Sequence, residues 1–221
     1  MTIRSITSEE YDEFRRHTKY AFTVSPDHLA YWLSDDLDLS VAKAVFDSGQ
    51  MVSIAQLLPF QVYFGDTLIP MGGFSGVATP PEHRRKQYVR NLLYHCLEEM
   101  RDTHVPLSYL YPFEFSYYRK FGWEQTSEFH IYKMSPSYFM GIPEVEGRME
   151  LKTPEDTDEI NTVYEVFAPR YNSCCQRDGK YWKKLLTPPN TNRFVYLWRD
   201  ANGDPRGYLI YDNVDKGSGP E

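Results

Sequence analysis

The stretch Gly76-Val77-Ala78-Thr79-Pro80-Pro81-Glu82-His83-Arg84-Arg85-Lys86-Gln87-Tyr88-Val89-Arg90 joins two apolar runs of different period. Before it, Met71 to Thr79 reads as a strand interrupted by Gly72, Gly73 and Gly76; glycines inside a strand mark a bulge or a close backbone approach. After it, Val89, Leu92, Leu93, Cys96, Leu97 and Met100 recur at helical spacing, with Arg90, Asn91, Tyr94, Glu98, Glu99 and Asp102 on the other side. That pattern predicts a long amphipathic helix. Between the two lies a Pro-Pro loop and the basic run His83-Arg84-Arg85-Lys86. A helix start presents unsatisfied N–H groups and about half a positive charge, so it receives phosphate well. Arg84, Arg85, Lys86 and Arg90 add guanidinium and ammonium groups suited to a small polyanion such as a pyrophosphate. The plainer alternative is a solvated basic first turn. Against it, each cation at a helix N-terminus is unfavourable by roughly 0.3–1 kcal/mol, so a cluster there is easier to explain with an anion present. Walker-type and dinucleotide glycine motifs are absent, and Gly73-Phe74-Ser75-Gly76 misses the G-x-S-x-G spacing.

Outward from this stretch the chain reads as α/β. Toward the N-terminus, Ile3 to Ile6 is a strand and Thr7-Ser8-Glu9-Glu10 a capping box for a helix carrying Tyr11, Phe14, Thr18, Ala21 and Phe22. Ser25-Pro26 opens a second helix, with Leu29, Trp32 and Leu33. Ser40 to Phe46, Met51 to Leu58 and Gln61 to Phe64 are strand-like, turning at Ser48-Gly49 and Gly65-Asp66. On the other side, Leu107 to Tyr111 is a strand stopped by Pro112, a brief helix runs to Phe121, and Trp123 to Met134 is read as a strand. Pro136 to Gly147 is a linker. The element order then restarts: strand Met149 to Lys152, a helix opening at Thr153-Pro154, a helix from Lys180 to Leu186, and a hairpin of Arg193–Arg199 and Arg206–Tyr211 around Asn202-Gly203. Asp212 to Glu221 reads as a polar, Gly-rich tail, and the hairpin is expected to leave a strand edge unpaired, so that either self-association or a partner covering the edge is expected.

Composition bounds the function. The chain has 221 residues, 41% of them hydrophobic, including 18 Tyr and 13 Phe, so it can bury a core. A net charge of −7 argues against nucleic acid as a partner of the whole surface. Three cysteines make no disulfide framework and the six histidines show no metal-ligand pairing, so no metal is expected. No run is long and apolar enough for a membrane span, and Met1 to Glu10 lacks the pattern of a signal peptide, so the expected setting is cytoplasmic.

Strand, basic loop and long helix resemble motif A of the GNAT acetyltransferases, R/Q-x-x-G-x-G/A. More narrowly, Val77-Ala78-Thr79, His83-Arg84-Arg85 and Tyr117-Tyr118-Arg119-Lys120-Phe121-Gly122-Trp123 resemble the Eis (enhanced intracellular survival) N-acetyltransferases, where Y-x-x-F-G-[YW] follows motif A. The resemblance covers residues 1–140 well and 148–211 loosely. It implies a GNAT domain over 1–140, with a mixed central sheet flanked by helices, and an incomplete second GNAT-like domain over 148–221. It also implies direct transfer of acetyl from acetyl-CoA to a primary amine; the unpaired strand edge separately makes a homo-oligomer the expectation. A non-catalytic acyl-CoA-binding or interaction module is the alternative.

By position, the resemblance implies that Val77, Ala78 and Thr79 offer backbone to the pantetheine arm and that Arg85, Lys86, Gln87, Tyr88, Val89 and Arg90 surround the pyrophosphate. Phe113 and Glu114 would touch the cofactor from a third segment, and Tyr118 matches the proton donor. A tyrosine titrates near 10 and a thiol near 8.5, so full proton donation is uphill by roughly 2 kcal/mol. Tyr118 must act by hydrogen-bonding the developing thiolate, or have its pKa lowered by a neighbour such as Arg119 or Lys120. Two departures stand out. Gln87 replaces a motif glycine, adding a Cβ while keeping the N–H, and its own amide is an alternative phosphate donor. The chain also reads as truncated relative to Eis-like proteins, whose terminal carboxylate is the general base; Glu221 does not inherit that role by position. Asp35, Asp36 and Asp38 are candidates for attracting a cationic amine, with a solvated acidic loop as the alternative. Phe22, Tyr31, Trp32 and Phe64 are candidate pocket walls, with helix core as theirs.

Overall fold

The computed structural model describes residues 1–34, 37–128 and 130–214. The first part of the chain forms β1 (Thr2–Ser5), α1 (Tyr11–Phe22), α2 (Pro26–Trp32), β2 (Ala42–Asp47), β3 (Gln50–Phe64), β4 (Thr67–Ala78), α3 (Tyr88–Asp102), β5 (Leu107–Leu110) and α4 (Phe115–Arg119). Its strands make one five-stranded sheet in the order β1-β2-β3-β4-β5. The first three pairings are antiparallel and β4–β5 is parallel. A mixed sheet arises because α3 crosses over between β4 and β5, as a parallel connection requires.

Local sequence explains the ends of these elements. The Thr7 N–H donates to the Glu10 carboxylate at 2.8 Å, and Ser25 accepts the His28 N–H at 3.3 Å ahead of Pro26. Alternation along β2 and β3 then sends side chains to both faces of the sheet. Ala44 and Ile54 pack with Phe14 of α1 and Leu29 and Leu33 from α2 and its end, whereas Val45 and Ala55 pack with Leu92, Leu93 and Cys96 of α3. Leu92 and Leu93 are fully enclosed; each such burial contributes roughly 1.5–3 kcal/mol. Gly72 permits that closeness, since a Cβ there would meet the Met100 sulfur at 2.7 Å.

A second sheet follows. β6 (Gly147–Lys152), α5 (Thr157–Phe167), α6 (Gly179–Leu186), β7 (Arg193–Asp200) and β8 (Pro205–Asp212) repeat the order of β1 through β3. The sheet is antiparallel in the order β6-β7-β8, over a core of Ile160, Tyr164, Trp182, Leu186 and Val195. Residues 173–176 join the two sheets by running antiparallel to β3: Ser173 donates to the Tyr63 carbonyl at 2.8 Å, Tyr63 to that of Cys174 at 2.9 Å, and Gln176 to that of Gln61 at 2.8 Å.

Three expectations are corrected. The strands expected over 51–58 and 61–64 are one continuous β3. Pro59 interrupts nothing because β2 pairs with β3 only as far as Gln56, leaving the far edge there without a ladder that needs an N–H. Residues 123–134 form no strand among the described residues; a strand needs a ladder for its amides, and Ile131 and Tyr132 stand 73% and 78% exposed. The helix expected at Thr153-Pro154 begins at Thr157, because the Thr153 amide and hydroxyl both donate to Asp156 and close a turn first. The expected tail beyond Val214, with Glu221, lies outside the described residues.

Candidate functional site

β4 and β5 pair only from Met71 to Phe74 and Leu107 to Leu110. β5 then ends at Tyr111-Pro112, while β4 continues to Ala78 with no β5 partner for Ser75 to Ala78. The register of β3 against β4 also shifts here, between Ile54 and Gln56, and Gly76 takes φ +61° to make that shift. A strand edge bearing free backbone groups therefore faces an opening between the two parallel strands. Val77 is half-buried against the α3 core and Ala78 is buried against the α1 core, so their backbones are what they offer. The far side of this edge is held by Ser53, whose hydroxyl donates to the Ala78 carbonyl at 3.1 Å and meets the Thr79 hydroxyl at 2.8 Å.

Below the opening, Arg85 and Gln87 both adopt left-handed backbone, with φ of 63° and 64°. An L-residue there costs roughly 1–2 kcal/mol relative to glycine. Alternating left- and right-handed residues turn successive N–H groups inward into an anion-binding concavity. Gln87 is also the residue preceding α3 and makes no side-chain cap, so the first-turn amides of Tyr88, Val89 and Arg90 keep no side-chain acceptor. The side chains divide. Arg85 and Lys86 are exposed and make no hydrogen bond or ion pair among the described residues. Arg84 donates to the Thr79 carbonyl at 3.1 Å and so braces the loop. Arg90 reaches the Gln87 amide oxygen at 3.5 Å and stacks over Tyr94. Tyr88 is buried, its hydroxyl donating to Asp47 at 2.5 Å, and Val89 packs into the core; both bring only their amides to the loop.

Tyr118 projects from α4 into the same core, 5% exposed. Its ring meets Phe113, Tyr117 and Trp123 edge-on at centroid distances of 5.5, 5.3 and 6.2 Å. Burial, with Tyr117 beside it, pushes its phenol up to about 12. Of the two alternatives for Tyr118, a pKa lowered by a neighbour does not hold: the pKa is raised, and Arg119 is engaged by Glu124 at 2.7 Å. With a thiol near 8.5, proton transfer from Tyr118 is uphill by about 5 kcal/mol, which leaves hydrogen-bond donation as what this hydroxyl can do. Phe113, 75% exposed, caps the cluster. Glu114 is committed to starting α4, accepting the Ser116 N–H at 3.1 Å, which holds its carboxyl below the usual range. Pattern marked Trp123 as the end of the Tyr117–Trp123 segment; its Nε1 is a fully enclosed donor without a partner among the described residues, on a ring 5.4 Å from that of Phe74 on β4.

The other candidates separate. Asp38 accepts the Ser40 N–H at 2.9 Å, closing a turn, and Asp35 and Asp36 lie outside the described residues. Phe22 and Trp32 do meet, edge to face at 5.7 Å and each about 40% exposed. Tyr31 instead donates to the Lys184 carbonyl, and Phe64 ends β3. Among the described residues no three His, Cys, Asp or Glu side chains gather as a metal site, and no helix is long and apolar enough to cross a membrane.

In this mixed sheet the pairing of the two parallel strands ends at Phe74 and Leu110, ahead of a helix start without a side-chain cap. A family model described as acetyltransferase (GNAT) domain matches residues 2–126. The chain belongs to the GNAT family. No curated protein matches the sequence. Among solved structures the fold is similar to that of an Enterococcus faecalis V583 protein described as a probable N-acyltransferase, at 23% identity and TM-score 0.83, over 98% of this chain and 56% of that one. A GCN5-related N-acetyltransferase from Anabaena variabilis gives 20% identity and TM-score 0.84, over 99% and 56%. Eis1 from Mycobacterium abscessus gives 18% identity and TM-score 0.69, over 98% and 55%. The chain thus spans 55–56% of the length of these structures, and the likeness of fold runs through both sheets.

Proposed function

We propose that this protein is an Eis-like, acyl-CoA-dependent N-acetyltransferase that carries acetyl directly from acetyl-CoA to a primary amine. The observation that carries the reading is the β4 edge from Ser75 to Ala78, which β5 leaves unpaired shortly before the left-handed loop at Arg85 and Gln87; the Tyr118 hydroxyl, which has no hydrogen-bond partner among the described residues, supports it. A pantetheine arm is an amide-bearing chain that hydrogen-bonds as a strand does, and a diphosphate fits inward-turned amides flanked by Arg85 and Lys86.

Acetyl-CoA bound there supplies a thioester. Transfer forms an N–C bond to the amine, breaks the C–S bond, and releases the amine's proton and a thiolate. Tyr118 donates a hydrogen bond to that thiolate while keeping its own proton, as its raised pKa dictates. A buried donor aimed at developing charge contributes roughly 10²–10³ in rate. Residues 1–140 form the transferase domain in this reading, and the chain from residue 148 a second domain of the same lineage, whose β8 edge, unpaired among the described residues, is a site for self-association.

Thiol release from acetyl-CoA with a panel of polyamines and aminoglycosides tests the proposal. Turnover is expected with at least one amine, and Tyr118→Phe is expected to lower kcat roughly 10²–10³-fold while the Kd for CoA stays within about threefold. CoA binding with no turnover on any amine would leave a non-catalytic acyl-CoA-binding module instead.

A further inference from the structure

A cavity of about 310 Å³ opens between α1 and the segment after β4, lined by Glu13, Arg16, His17, Tyr20, Pro80 and Glu82. Its four α1 residues fall at spacings of three, one and three, a single face of the helix. At 100° per residue, Phe22 points to the opposite side, so the cavity is separate from the Phe22–Trp32 pair.

Carboxylates stand on both walls, Glu13 from α1 and Glu82 from the loop. The Glu13 carboxylate lies 4.0 Å from His17 Nε2, and the His17 side chain is 13% exposed. Tyr20, 62% exposed overall, turns an aromatic surface to the opening. Two carboxylates against the single Arg16 guanidinium leave the walls at a net charge of −1 while His17 is uncharged. From this arrangement we infer that the cavity is a binding site for a small organic ammonium ion, held between Glu13 and Glu82 with its carbon skeleton against Tyr20.

The competing ligand classes fit less well. A divalent metal needs converging ligands, and no such group exists among the described residues. An anion would face two carboxylates. An ammonium on a short hydrocarbon stem gains from both carboxylates and from the ring face.

His17 makes the site pH-sensitive. Its environment consists of Glu13 and Arg16 on α1 and of Glu82 and His83 on the loop, and burial dominates, holding it below its ordinary value. It is therefore neutral at pH 7. Protonation adds one positive charge, brings the walls to zero net charge and repels a bound cation. Binding is strongest above pH 6.5 and falls as pH drops through the His17 titration.

The test is a titration of the full chain with n-butylammonium, read on the His17 imidazole by NMR at pH 7.5 and 5.5. A saturable shift is expected at pH 7.5, weaker at pH 5.5 and weakened at least tenfold in Glu13→Gln/Glu82→Gln. Tyr20→Ala, which leaves both charges in place, is expected to lose affinity for n-butylammonium but not for ammonium itself. Equal responses to n-butanol, potassium or propionate would overturn the inference, as would no saturable response. CoA binding measured on the same samples keeps the two readings apart: its loss would count against the transferase cleft, not this cavity.

Discussion

The two sheets start alike and end differently. β1-α1-α2-β2-β3 and β6-α5-α6-β7-β8 run in the same order, with antiparallel neighbours in the same sequence. In the first, β3 extends to 15 residues and takes β4 as a further partner. The chain can then bulge at Gly76, turn through two left-handed residues and return as α3 and β5. In the second, β8 closes on charged pairs, Arg193 with Asp212 and Arg206 with Asp200, and its outer edge stays open among the described residues. The shared topology is scaffold. The candidate site belongs to what is added after β3.

The sharpest break of that comparison is in the second core. Trp182 is fully enclosed and its indole N–H donates to Asn161 at 2.7 Å. Trp182→Ala is expected to cost about 3–5 kcal/mol, seen as a fall in the denaturant midpoint, while the Kd for CoA moves less than threefold. A parallel loss of CoA affinity would show that the second sheet holds the cleft in shape.

A smaller effect is expected at the loop. Gln87→Gly removes left-handed strain of roughly 1–2 kcal/mol and adds roughly 0.5–1 kcal/mol of unfolded-state entropy. The net is a gain of up to about 1.5 kcal/mol, measurable by urea unfolding. A loss of stability would mean that the Gln87 side chain, through its contact with Arg90, contributes more than its backbone costs.

Acid should touch both sheets alike and least. Glu10, hydrogen-bonded by Arg4, and Glu150, hydrogen-bonded by Arg199, are both held down to about 2. A carboxyl with a depressed folded pKa stabilises the fold above its unfolded value, near 4.5, and loses that contribution as pH falls toward 2. Glu10→Gln and Glu150→Gln are each expected to flatten the pH dependence of the unfolding midpoint over that window. A variant that leaves the dependence unchanged would mean its ion pair is screened by solvent.

Most of the fold was readable because period and punctuation agreed. The α3 stripe, the Ser48-Gly49 and Gly65-Asp66 turns and the Asn202-Gly203 hairpin each depend on residues within one element. Where the reading missed, the deciding partner was distant in sequence. Pro59 sits inside β3 because β2 ends early, and residues 123–128 and 130–134 stay out of a sheet because no ladder among the described residues takes them. The candidate site divides the same way. Position along the chain marked Val77 to Thr79, the 85–90 loop and Tyr118, but pattern did not reveal that Tyr88 spends its hydroxyl on Asp47 or that Glu114 caps α4. Nor did it reveal that Glu13 and Glu82, distant in sequence, line one cavity.

Calorimetry of CoA against the native chain and Arg85→Ala/Lys86→Ala tests the account where it is most exposed. Native protein is expected to bind at one site, and the variant at least roughly tenfold more weakly, since each charge-assisted hydrogen bond contributes about 1.5–3 kcal/mol. No heat with the native chain, or equal affinity in the variant, would contradict a diphosphate held at the start of α3.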